Sequence, residues 1–193
     1  MLLHDIIEPA SSLWVSNVVL VRKANGQLRF CVDYRHLSLQ TYNDSYPLPR
    51  IETCLDSLGG SKYFSSLYIR LGYWQAAIDP ESADKTAFVT RKGIFRFKRL
   101  SFGLTNAPAL FQRLINLVLA GLTWEVCLMY LDDVIVMADT FERYLKRLKL
   151  IMNRVRRSGL KLNPARCKLF QLKTKFLVHV VSGRRIEPDP EKM

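Results

Sequence analysis

The sequence predicts an α+β fold built on an antiparallel sheet, with helices packed on one face. Three observations carry that expectation. Turn signals join β-branched runs into hairpins. Amphipathic helical segments are interleaved between those hairpins. Two apolar segments, "VCLM" and "VIVMA", flank an acidic pair, Asp132 and Asp133, in the manner of paired strands.

The elements follow in order. Val18 to Arg22 is rich in β-branched residues, Asn25-Gly26 is a strong two-residue turn signal, and Leu28 to Tyr34 is the returning strand. Residues 41–50 carry two prolines and several turn formers, so they connect. Ile51, Leu55 and Leu58 stand at helical spacing, and Gly59-Gly60 stops that helix. Residues 62–71 read as a strand. A turn and short strands follow, with a hairpin at Lys92-Gly93.

Residues 105–122 give the clearest helix. Pro108 suits its first turn, and Leu110, Leu114, Leu117 and Val118 form its apolar face. After the acidic hairpin, residues 140–160 form an amphipathic helix. Leu145, Leu148, Ile151, Met152 and Val155 lie on one side, basic residues lie on the other, and Gly159 closes it. A last strand pair covers Lys168 to Phe170 and residues 175–188. The expected core includes Leu114, Leu117, Val118, Val134, Ile135 and Leu148.

The 193 residues fit one medium domain or two small lobes, and 49% apolar content is enough for a core. Twenty-nine Lys and Arg against 17 Asp and Glu give a formal charge of +12. Such an excess points to a polyanionic partner, nucleic acid ahead of a membrane surface. Cys31, Cys54, Cys127 and Cys167 are scattered, without a CxxC pair, so neither a zinc site nor a disulfide framework is expected. Reduced thiols fit an intracellular protein. The N-terminal stretch carries acids and does not read as a signal peptide. No apolar run reaches the ~18 to 20 residues that span a bilayer.

Carboxylates inside an apolar hairpin are costly unless a cation meets them. Hard divalent cations such as Mg²⁺ prefer carboxylate oxygens. In nucleotidyl transfer, two metals ~3.5 to 4 Å apart stabilise the attacking and leaving oxygens. Two such ions need several carboxylates, so a third acid from a neighbouring strand is expected. Asp is also a common turn residue, and for the pair by itself a plain polar hairpin turn is the better reading.

"YLDD" between "CLM" and "VIVMA" resembles the catalytic hairpin of reverse transcriptases. The blocks "YPLPRIETCLDSLGGSKYFSSL", "GYWQAAI", "SFGLTNAPALFQRLIN" and "GLKLNPARCKLF" resemble the Pol polyprotein of long-terminal-repeat retrotransposons of the Ty3/gypsy type. The resemblance covers nearly the whole chain, with its blocks in the right order. It implies the fingers (about 1–44 and 76–106) and palm (about 45–75 and 107–187) of a right-hand polymerase. It also implies that thumb, RNase H, integrase and protease regions lie outside this chain. The implied partners are an RNA or DNA template-primer and a deoxynucleoside triphosphate (dNTP), with two Mg²⁺ and no membrane. The implied location is the cytoplasm, a virus-like particle or the nucleus.

Carried over block by block, Asp132 and Asp133 match the metal ligands and Tyr130 the aromatic near the primer end. Arg29, with Arg22 or Lys23, matches the cations that grip the triphosphate; alternatively these are solvated charges on a surface hairpin. Tyr73 matches the bulky residue under the sugar, or is a packed aromatic. Phe102 and Gly103 match the loop contacting template and nucleotide, and Asn106, Pro108 and Gln112 the same loop-to-helix block. Lys161 matches a lysine near pyrophosphate, or is an ordinary exposed lysine. Val178 and His179 fall in the strand pair that supports the primer end.

Four positions depart from that pattern. Tyr68 stands where the family has the third catalytic aspartate, and a phenol with pKa about 10 is neutral near pH 7. Leu71 replaces a small residue, Ser101 a proline, and Val178 a glycine whose conformational freedom valine lacks. The departures imply impaired or absent polymerase activity. The alternative is a catalytically dead nucleic-acid-binding remnant or a pseudogene product.

Overall fold

The computed structural model describes residues 1–22, 26–183 and 185–190; Lys23 and Asn25 of the first predicted hairpin lie outside the described residues. Among the described residues the strands are β1 (Ile7–Pro9), β2 (Val18–Arg22), β3 (Leu28–Val32), β4 (Tyr63–Tyr68), β5 (Phe88–Thr90), β6 (Gly93–Phe97), β7 (Cys127–Tyr130), β8 (Asp133–Ala138), β9 (Lys168–Gln171), β10 (Lys173–Phe176), β11 (His179–Ser182) and β12 (Ile186–Pro188). The α-helices are α1 (Arg35–Leu39), α2 (Ile51–Asp56), α3 (Pro80–Ala83), α4 (Ala107–Val118) and α5 (Phe141–Arg157). The chain divides into two units, residues 1–45 with 71–111, and residues 46–70 with 112–193.

In the first unit, β2 and β3 form the predicted hairpin and β1, β6 and β5 a three-stranded antiparallel sheet. Its core gathers Ile6, Ile7, Val32, Tyr34, Phe88, Phe95 and Phe97. Three aromatic rings, Phe88, Phe95 and Phe97, stack along one strand pair. The Tyr34 hydroxyl donates to the Thr86 carbonyl from inside this core, and burial pushes its pKa upward.

The second unit is built on a four-stranded antiparallel sheet of order β7-β8-β4-β9. The central strand β8 is buried from Val134 to Ala138, which explains why its sequence is a continuous apolar run rather than an alternation. Alternate residues face opposite ways along a strand. Phe64, Ile135 and Met137 therefore share one face, where Cys54 of α2, Leu58 and Phe176 cover them. Ser65 points to the other face and its hydroxyl meets that of Tyr144 on α5. The expected last strand pair is divided: β9 joins this sheet beside β4, while β10, β11 and β12 form a separate antiparallel sheet.

Val134, Ile135 and Leu148 are buried as expected. The face of α4 is not the expected one. Phe111, Ile115 and Leu119 are buried, Leu114 and Val118 are half-buried, and Leu117 is 69% exposed. The apolar residues of that segment spread over about half of the helix circumference, so periodicity alone underdetermines which stripe turns inward. On α5 the buried stripe is Tyr144, Leu148, Ile151 and Val155, while Leu145 and Met152 flank it in solvent.

The two stripes of α4 predict opposite outcomes for truncation. Ile115→Ala is expected to cost about 2–5 kcal/mol of stability through the cavity it leaves. Leu117→Ala should change it by less than about 0.5 kcal/mol. Urea denaturation of both variants checks the assignment.

Candidate active site

The acidic hairpin is tighter than the sequence implied. Tyr130 pairs with Asp133, so the turn consists of Leu131 and Asp132 alone, and Asp133 is already the first residue of β8. Leu131 takes φ 52°, a left-handed conformation that costs a bulky residue free energy. Neighbouring groups hold it there. The buried Gln112 side chain accepts the Leu131 N–H through Oε1 at 2.9 Å. The Ile69 N–H donates to the Asp132 carbonyl at 3.1 Å.

Tyr68 stands directly across the sheet from Asp133. The position from which a third carboxylate would meet the pair is thus occupied by a half-buried phenol. The Arg166 guanidinium lies over the Tyr68 ring, 3.3 Å from its centroid, as a close cation–π stack. The Tyr68 N–H points to the Cys167 thiol at 3.3 Å, and the Asn163 N–H donates to the Tyr68 carbonyl at 2.8 Å.

Asp132 has its carboxyl pKa raised. Burial is the largest cause, repulsion from Asp133 adds to it, and Arg166 pulls the other way. Its Oδ1 is buried without a hydrogen-bond partner among the described residues. Among those residues, no group of three or more His, Cys, Asp or Glu is placed to hold a metal ion. Mg²⁺ demands near-octahedral oxygen ligation, and a two-metal centre demands several carboxylates. A phenol capped by a guanidinium supplies neither charge nor ligands of that kind. The residues present do not fit a two-metal centre.

The other residues singled out in the second unit are placed as follows. Gln112, expected near primer or template, is buried against the hairpin backbone. Tyr130 is half-buried against the core of this unit. The Lys161 carbonyl accepts the Arg70 N–H at 2.9 Å, just beyond β4. His179 opens β11, and its Nδ1 is buried without a hydrogen-bond partner among the described residues. Leu177 and Val178 make the β10–β11 turn. The positive φ falls on Leu177, at 56°, rather than on Val178, so the conformational objection raised against valine at 178 does not arise there.

In the first unit, Arg29, Tyr73 and Phe102 come together. The Arg29 guanidinium is 5.8 Å from the Phe102 ring centroid, and the Tyr73 ring is 5.0 Å from it. Tyr73 also meets Phe111 edge-on at 5.3 Å. Arg22 pairs with Leu28 and Arg29 with Val21, so the two arginines project to opposite faces of their hairpin. Gly103 has φ 91°, and a Cβ there would sit 3.4 Å from the Val32 carbonyl oxygen. Asn106 clamps the preceding connection, donating to the Tyr42 carbonyl and accepting the Asp44 N–H. Pro108 is the second residue of α4.

Sequence reasoning does not single out Arg166 or Cys167. Both lie about a hundred positions from Tyr68, and no local spacing announces a contact that only the β4–β9 pairing creates.

Known structures share this fold. The foamy viral protease-reverse transcriptase dRH in complex with double-stranded DNA matches 98% of this chain and 33% of its own, with TM-score 0.91 and 22% identity. The foamy viral protease-reverse transcriptase in complex with an RNA/DNA hybrid matches 96% and 25%, with TM-score 0.88 and 22% identity. The fold is that of the fingers and palm of a right-hand polymerase. The family model "Reverse transcriptase (RNA-dependent DNA polymerase)" matches residues 21–181, and this chain belongs to that family. Among its relatives are the retrovirus-related Pol polyproteins from the Drosophila melanogaster transposons opus and 412. Each is 37% identical, over 100% and 97% of this chain respectively. That from transposon gypsy of the same organism is 31% identical over 100%. The chain spans 20%, 16% and 19% of these relatives.

The hairpin geometry sets two expectations. Removing the Gln112 side chain as Gln112→Ala leaves the Leu131 N–H without its acceptor. It should cost about 1–3 kcal/mol, with faster exchange of the Leu131 amide. A carboxyl whose folded pKa is raised makes the fold less stable as pH rises through that pKa. With chelator present, Asp132→Asn should therefore stabilise the protein at pH 7. The gain should vanish below about pH 4, where the carboxyl is protonated in the folded and the unfolded chain. Thermal melts across that pH range read the effect.

Proposed function

We propose that this chain is the reverse transcriptase segment of a gypsy-type retrotransposon Pol protein. In this reading it keeps surfaces for template-primer and dNTP and has lost nucleotidyl transfer. One observation carries the second half of the reading: Tyr68, with Arg166 stacked on it, faces Asp133 where the chemistry needs a carboxylate.

In this proposal Asp132 and Asp133 are the two surviving acids of the centre that holds Mg²⁺ in active relatives. Arg29 receives the triphosphate, while Arg22 projects to the opposite face of the hairpin and Lys23 lies outside the described residues. The Arg29–Phe102 contact holds that guanidinium ready for a bidentate phosphate contact. Tyr73 packs under the sugar, its ring fixed by Phe102 and Phe111. Gly103 lets template and nucleotide approach the backbone, and Lys161 lies toward pyrophosphate. Tyr130, Val178 and His179 support the primer end. Asn106 and Pro108 shape the loop leading into α4, and Gln112 acts through the hairpin as a positioning residue. The formal +12 supports retained binding of a polyanion.

The size of the loss can be bounded. One electrostatic group in a catalytic site commonly carries ~10²- to 10³-fold in rate, and a metal ligand carries at least that. The test is primer extension on an RNA template with Mg²⁺, with this chain fused to the downstream Pol segments of a gypsy-type relative. The Tyr68→Asp variant is expected to extend at least ~100-fold faster than the unaltered sequence. Equal, robust extension by both would refute the proposal.

A further inference from the structure

Helix α5 carries seven Lys and Arg against one Glu, a net +6 of the chain's +12. Half of the excess charge is thus concentrated in 17 residues, about 25 Å of helix. Two of the seven cations are engaged. Arg143 is paired with Asp139, and Arg147, half-buried, donates to the Met137 carbonyl. Lys146, Lys149, Arg154, Arg156 and Arg157 are exposed and in no ion pair among the described residues. At roughly 100° per residue, these five and Arg143 fall within an arc of about 160°, opposite the buried stripe of Tyr144, Leu148, Ile151 and Val155.

The position of this face matters as much as its charge. Ser65, whose hydroxyl meets Tyr144 of α5, and Tyr68, across from Asp133, are three residues apart on β4 and so project to opposite faces of the sheet. The cationic stripe therefore lies behind the sheet relative to the carboxylate site, and the polymerase chemistry does not require it.

We infer that the outward face of α5 is a second docking surface, separate from the catalytic hairpin, for the sugar–phosphate backbone of nucleic acid. A linear row of cations complements a linear polyanion, whose attraction is largely independent of sequence. A membrane surface fits less well. An interfacial helix inserts its apolar face, and the apolar stripe of α5 is already buried in the protein.

The test measures binding of a fluorescent 20-nucleotide RNA to the whole chain by anisotropy across a salt series. Lys146→Gln, Lys149→Gln, Arg154→Gln and Arg157→Gln are combined in one variant, glutamine keeping good helix propensity. A charge-matched control combines Lys62→Gln, Lys85→Gln, Arg91→Gln and Lys92→Gln, and circular dichroism verifies folding of both. The α5 variant should bind at least ~10-fold more weakly at 0.1 M salt. Its slope of log K against log salt should shrink by about 3, from roughly 0.7 for each phosphate no longer neutralised, with the control near wild type. Photocrosslinking of the unaltered chain should mark peptides within residues 146–157. Equal losses in both variants, no loss in the α5 variant, no crosslink there, or tighter binding to phosphatidylserine vesicles than to RNA would each overturn the inference.

Discussion

The register of β4 against β8 is the constraint on which the site depends. It pairs Phe64 with Met137, Leu67 with Val134 and Tyr68 with Asp133. These two pairs are buried on opposite faces of the sheet, so a slip of one residue would move every side chain of the strand to the other face and break both packed layers. The same register fixes what Asp133 faces. Whatever residue stands at position 68 is delivered to the acidic hairpin with the accuracy of a core strand. In this chain the fold delivers a tyrosine, and the stacked Arg166 holds its ring.

Folding and chemistry are separable here. Phe64, Leu67, Leu128 and Ile135 bury the sheet irrespective of what stands at its end, and each is 1% exposed or less. The turns are where the chain bears cost. Leu71, Leu131 and Leu177 hold φ of 59°, 52° and 56°, and the last two adjoin residues assigned to the site. Strain of this kind persists when surrounding structure over-determines it. At Leu131 the Gln112 acceptor shows how. The carboxylates add a further cost, because Asp132 is partly buried beside the like charge of Asp133. A site of this construction is stabilised by bound cations. Without a third acid, the nearby positive charge of Arg166 is a partial substitute.

Much of this is legible in the sequence. The paired strands around "LDD", the helices after Pro108 and Thr140, and the absent third acid all follow from local pattern or block order. Three features are not legible, each for a physical reason. The buried stripe of α4 escapes a periodicity reading because Leu110, Leu114 and Leu117 compete with Phe111, Ile115 and Leu119 for the same spacing. That α2 and α5 cover opposite faces of one sheet depends on strand parity in β4 and β8, which helix patterns do not encode. The Arg166–Tyr68 stack and the Gln112 hydrogen bond are long-range contacts between residues that sequence reading treats singly.

The central claim is that one side chain decides whether the hairpin can collect divalent metal. Titration of the folded protein with Mn²⁺, followed by electron paramagnetic resonance, tests it without any polymerase turnover. The account predicts saturable binding by the Tyr68→Asp variant, abolished when Asp132→Asn is added, and at least ~10-fold weaker binding by the unaltered chain. Equal Mn²⁺ affinity in the unaltered chain and in Tyr68→Asp would contradict it.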